Sequence, residues 1–111
     1  MFAIPDSIPP SPALSAVVYL SGPITDNPDF KRHFASAKKL MHRYYKPKLI
    51  LTPAIFPPGW DYDHYMEHCL IMVRRSTAIV MLPGWRLSRG ACTERAYAES
   101  LRLHVHHLSF A

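Results

Sequence analysis

Five consecutive apolar residues, Ala78-Ile79-Val80-Met81-Leu82, end at Pro83-Gly84, and Ser88-Arg89-Gly90-Ala91 follows a few residues later. The apolar run reads as a buried strand, and the Pro-Gly pair ends it. Ser88 is placed to cap a helix whose first turn holds Gly90 and Ala91. A strand thus delivers a loop, and the loop feeds a helix N-terminus. In an open parallel α/β sheet, ligands bind at the edge where such loops collect. Backbone N–H groups at the helix start favour an anion such as phosphate.

Glu94 makes this stretch more than a turn. On a wheel of 3.6 residues per turn it falls among Ala91, Tyr97, Ala98 and Leu101, on the apolar arc. A carboxylate on the face that meets a sheet is costly unless it is paired or working. Two readings stand together: a nucleophile or acid/base group, or a carboxylate that reaches the helix edge and pairs with Arg95 or Arg89.

The rest of the chain supplies the partners of this unit. Residues 1–14 carry Pro5, Pro9, Pro10 and Pro12, which exclude a helix or a central strand. They read as an extended arm or flexible tail ahead of one domain, 15–111. Ala16 to Leu20 reads as a first strand. Ser21-Gly22-Pro23-Ile24-Thr25-Asp26 follows at its C-terminal end, with Gly22 allowing close backbone approach to a ligand. Asn27-Pro28 fits an N-cap and first helical position, and Phe30, Phe34, Ala37, Met41 and Tyr44 then recur at helical spacing. Lys31, Arg32, Lys38, Lys39 and Arg43 fall largely off that face and read as a solvated surface, with phosphate contact the lesser reading. Leu49-Ile50-Leu51 is a second strand. The loop from Pro53 to Asp61 holds Trp60, which can stack on a ligand base or plug the core.

Tyr62, Tyr65, Met66, Cys69, Leu70 and Val73 form another helical stripe. His64 and His68 lie one turn apart but lack an obvious third ligand, so no metal is expected. His104 to His107 reads as a last strand with two exposed histidines. The order strand, helix, strand, helix, strand, helix, strand implies a small parallel sheet between helical layers. The expected fold is a three-layer α/β sandwich, flavodoxin-like or Rossmann-like.

Composition narrows the partners. The net charge of +5 suits anionic ligands, but the charges are scattered, which argues against a specific nucleic-acid surface. No apolar run approaches bilayer length, and the N-terminus lacks the pattern of a signal peptide, so no membrane partner is expected. Cys69 and Cys92 have neither metal nor redox spacing and fit free thiols in a reducing, cytoplasmic compartment. Neither a dinucleotide G-x-G-x-x-G nor a Walker A lysine motif occurs, so no cofactor is expected.

Three segments together resemble a known family. They are Tyr19-Leu20-Ser21-Gly22-Pro23-Ile24-Thr25, the helix that opens at Tyr65-Met66, and Leu82-Pro83-Gly84-Trp85 running on through Ser88-Arg89-Gly90-Ala91 to Glu94. The pattern is similar to small bacteriophage and prophage proteins of the nucleoside 2-deoxyribosyltransferase-like superfamily, from about Val17 to Val105. The resemblance implies a parallel α/β sheet and cleavage or exchange of the N-glycosidic bond of a deoxynucleoside or deoxynucleotide. It also implies that Glu94 attacks the sugar C1′, that Ser88, six residues earlier, helps hold a 5′-phosphate, and that Gly22 and its neighbours line the pocket. A homo-oligomer is implied too, because relatives place their active sites at subunit contacts.

The chain departs from that pattern twice. An aspartate expected on the second helix aligns with Cys69, and one expected before the third strand aligns with Thr77. Asp26, Asp63 and Glu67 are candidate replacements. The expected site is therefore Glu94 as catalytic group, with Ser21, Gly22, Pro23, Trp60, Trp85, Ser88, Arg89 and Gly90 around the substrate. Arg86 and Tyr19 are further candidates. The competing reading is a non-catalytic module that binds a nucleotide or nucleotide-derived signal.

Overall fold

The computed structural model describes residues 2–3, 11–25, 27–55 and 59–110. The expectations for Pro5, Pro9, Pro10 and Asp26 lie outside these residues. In chain order the elements are β1 (Phe2–Ala3), β2 (Val17–Ser21), α1 (Phe30–Tyr44), β3 (Leu49–Leu51), α2 (Tyr62–Arg74), β4 (Ala78–Met81), α3 (Arg89–Ser100), β5 (His104–His107) and β6 (Ser109–Phe110). Four strands form one parallel sheet in the order β3-β2-β4-β5. The strand–helix alternation expected from sequence is present, and so is the parallel sheet.

Alternation along the strands decides which helix each residue meets. Val18 and Leu20 of β2, with Ala78 and Val80 of β4, bury against Phe34, Ala37, Met41 and Tyr45 at the α1 layer. Tyr19, Ile79 and Met81 face the other way, onto Met66, Cys69 and Val73 of α2 and Ala91 and Ala98 of α3. The result is three layers, with α1 on one face of the sheet and α2 and α3 on the other. Both faces of β4 are fully buried, which is why its sequence is an unbroken apolar run rather than an alternating one. Each fully buried aliphatic side chain contributes about 1.5–3 kcal/mol.

Local signals hold in part. Ser88 caps α3, its Oγ accepting from the Ala91 N–H at 3.2 Å. Asp61 caps α2 by accepting from the His64 N–H at 2.8 Å. Asn27 does not cap α1, which begins at Phe30 behind Asp29. Its side-chain amide instead donates to the Pro23 carbonyl at 2.9 Å, so it braces the loop after β2. Leu14 is buried with the α1-side core, and Phe2–Ala3 pairs antiparallel with β6. His106 is half-buried rather than exposed, because the α1 face brings the Tyr45 ring to 5.8 Å from it. Burial, then the neighbouring His104 and His107, lower its pKa.

The sheet order reverses direction between β2 and β4, and the loops after these strands part there to leave a crevice. They are tied together just below it by the Leu82 N–H, which donates to the Ser21 carbonyl at 2.7 Å. Gly22 sits in that seam, and a Cβ on it would stand 2.8 Å from Leu82 Cβ. Gly22→Ala is therefore expected to lower unfolding free energy by about 1–3 kcal/mol through overpacking, measured by urea denaturation. An unchanged midpoint would show that the seam can open.

Candidate functional site

At the crevice lies a cavity of about 510 Å3, within the size range of small-molecule sites. The loop after β2 contributes Gly22, Ile24 and Thr25, and the start of α1 contributes Phe30 and Lys31. Trp60, Tyr62 and Tyr65 form an aromatic wall at the start of α2. Ser88, Gly90, Ala91 and Glu94 close the α3 side.

Glu94 is 3% exposed and lines this cavity. It does not pair with an arginine, since Arg95 bonds Glu99 instead. Its carboxylate is met from the sheet. The Tyr19 hydroxyl donates to Oε2 at 2.8 Å, and the Ser21 hydroxyl donates to Oε1 at 2.6 Å. Tyr19 and Ser21 are two residues apart on one strand and so share a face. The Cys69 thiol of α2 also hydrogen-bonds this cluster. Burial raises the Glu94 pKa, while the bonds from Ser21, Tyr19 and Cys69 act against that rise. The carboxylate is thus held in place by neutral donors and carries no cationic counterion, an arrangement that leaves its charge available to an electrophilic carbon.

The same carboxylate acts on its neighbours. Burial first, and then the charge of Glu94, push the Cys69 thiol up to about 12. Tyr19 and Tyr65 are raised chiefly by burial as well. Cys69 is buried and Cys92 is exposed, so a thiol reagent at pH 8 is expected to titrate one cysteine in the folded protein and two after denaturation. Fast reaction of two thiols without denaturant would show that the Glu94 pocket opens readily.

The structure brings together Gly22, Trp60, Ser88, Gly90 and Glu94 of the residues expected from sequence. Ser21 lies directly beneath Glu94 as a donor, not on the cavity wall. Pro23 is not on the wall either; it neighbours Gly84. Arg89 stands at the rim, its guanidinium 4.3 Å from the centre of the Tyr62 ring, which lines the cavity. Trp85 lies off the wall, with Arg95 at 4.9 Å and Arg86 at 5.0 Å from its ring and the His107 ring at 5.8 Å. Asp63 and Glu67 are exposed on α2, and neither lines the cavity. Thr77 bonds the Ala13 and Val17 carbonyls at the opposite end of the sheet. Among the described residues, no group of three or more His, Cys, Asp or Glu side chains is placed to hold a metal ion, and no helix is long and apolar enough to cross a membrane.

Tyr65 and Lys31 of the cavity are not among the site residues expected from sequence, and Cys69 beneath it enters there only as the residue standing where the resemblance implies an aspartate. For Cys69 the period of α2 carried a usable signal, since it shares a helical face with Met66 and Val73. For Lys31 no such signal exists.

A family model described as a domain of unknown function, DUF4406, matches residues 16–107. A solved structure of a 2-desoxiribosyltransferase from Leishmania mexicana matches with a TM-score of 0.64 at 17% sequence identity. The match covers 83% of this chain and 63% of that one. At this identity the likeness establishes a deoxyribosyltransferase-like fold. No curated protein matches the sequence.

Proposed function

We propose that this chain, which belongs to the DUF4406 family, processes deoxynucleosides or deoxynucleotides by attack of Glu94 on the sugar. The observation that carries this reading is a buried carboxylate on the cavity wall, bonded at both oxygens by Tyr19 and Ser21. The deoxyribosyltransferase-like fold supports the same chemistry. A Glu94 oxygen forms a bond to C1′ as the C1′–N bond breaks and its electron pair leaves with the base. The base takes up a proton, and a glycosyl ester remains on Glu94. Water then hydrolyses the ester, giving an N-glycosidase, or a second base attacks C1′, giving a transferase. This is the retaining logic of glycoside cleavage. Phe30, Trp60, Tyr62 and Tyr65 supply flat apolar surface for the base. The start of α3 at Ser88–Gly90, with Arg89 at its rim, offers N–H groups to a phosphate.

Incubation with each deoxynucleoside and deoxynucleotide, followed by chromatography for free base, tests this reading. The second reading, a binding module without turnover, is favoured by one observation. Glu94 is the one carboxylate among the described residues on the cavity wall, and the neighbour that could have been a second acid is the un-ionised Cys69 thiol. Leaving-group protonation ordinarily needs a positioned donor. Ligand-dependent thermal stabilisation without base release would select this reading.

A further inference from the structure

The cavity wall holds one carboxylate, Glu94, and one cation, Lys31, among the described residues. They come from opposite layers: Glu94 from α3 on one face of the sheet, Lys31 from the first turn of α1 on the other. Lys31 takes part in neither of the ion pairs formed among the described residues; its neighbour Arg32 is held by Asp29 at 3.1 Å, and Arg95 by Glu99. Lys38 and Lys39, further along the same helix, are absent from the wall. Among the described residues Lys31 is therefore a cation with no carboxylate partner, at the rim of a space otherwise lined by aromatic rings, small residues and one buried acid. Such a space repels a dianion on account of Glu94 and accommodates an uncharged nucleoside at no coulombic cost.

We propose that Lys31 is the specificity-determining residue of this site, selecting a deoxynucleoside 5′-monophosphate over the unphosphorylated deoxynucleoside. The proposal rests on the glycosidic-bond reading above and narrows its substrate class. With C1′ at Glu94, the base against the aromatic wall and the start of α3 offering N–H groups to the phosphate, Lys31 is the one cationic side chain on the wall among the described residues that is available to the charged group of the ligand. Its ammonium offsets the repulsion between phosphate and carboxylate and adds a charge-assisted hydrogen bond.

The experiment compares calorimetric titrations of wild type, Lys31→Ala and Lys31→Arg with each of the four deoxynucleosides and their 5′-monophosphates. Wild type is expected to prefer a monophosphate. Lys31→Ala should lose about tenfold of that preference, the scale of a partly exposed charge-assisted contact, with nucleoside affinity unchanged, and Lys31→Arg should retain most of it. Raising sodium chloride from about 50 to about 500 mM should erode the preference of wild type and not that of Lys31→Ala. A preference that survives Lys31→Ala, or an equal loss for nucleoside and nucleotide, overturns the proposal while leaving Glu94 chemistry intact. Failure of wild type to bind either ligand overturns both.

Discussion

Glu94→Gln is expected to lower base release by about three orders of magnitude or more, the scale of removing a covalent nucleophile, without lowering Tm at neutral pH. Glutamine has the shape of the glutamate and keeps one oxygen to accept from Tyr19 or Ser21, but its amide does not attack C1′. The stability half of the result follows from the direction of the Glu94 shift. Burial holds the folded-state pKa above the ordinary value. The stability linked to the neutral carboxyl is then fully present below the unfolded-state pKa and is lost as pH rises through the folded one. Near neutral pH the wild-type protein carries that loss, and a residue that never ionises escapes it. A variant with no turnover and an equal or higher Tm places Glu94 in the chemistry, as expected where a catalytic group is held at the expense of stability. Base release that persists in Glu94→Gln removes the nucleophile from the mechanism, whatever the Tm.

The route to Glu94 shows what a sequence of this kind discloses. Its position on the apolar arc of α3 was readable from helical period alone, because a charged residue among Ala91 and Ala98 contradicts the pattern around it. The parallel sheet was readable because β4 is apolar on both faces and helical stripes separate the strands. The donors beneath Glu94 were half-readable. Tyr19 and Ser21 share a strand face, yet only the packing of α3 on that face turns two hydroxyls toward one carboxylate. An Asn-Pro pair suits a helix start, whereas here the Asn27 amide reaches back to the Pro23 carbonyl and leaves the N-cap position to Asp29. β1 and β6 are two residues each, too short for any period to register. Lys31 was indistinguishable from Lys38 or Lys39 in sequence, since its place on the wall depends on how α1 meets the loop after β2.

Joint removal of the Tyr19 and Ser21 hydroxyls, as Tyr19→Phe with Ser21→Ala, is expected to cut turnover about 100-fold at pH 6 and much less at pH 9. A hydrogen bond to a charged group contributes about 1.5–3 kcal/mol, and two bonds on one carboxylate are not additive, so a combined effect near the sum of two weak bonds is the fitting scale. Both hydroxyls favour the ionised carboxylate and oppose the rise caused by burial. Without them the pKa climbs further, and at any pH below it a smaller fraction of the enzyme holds a nucleophile. Raising the pH restores that fraction. The carboxylate that then ionises accepts from fewer donors and is the stronger nucleophile, so the acid limb of the pH–rate profile moves upward while the plateau is largely kept. A role confined to holding the shape of the pocket would lower the rate equally at every pH. The profile therefore separates tuning of the carboxylate from support of the fold, and a uniform loss across pH 6–9 would count against the tuning.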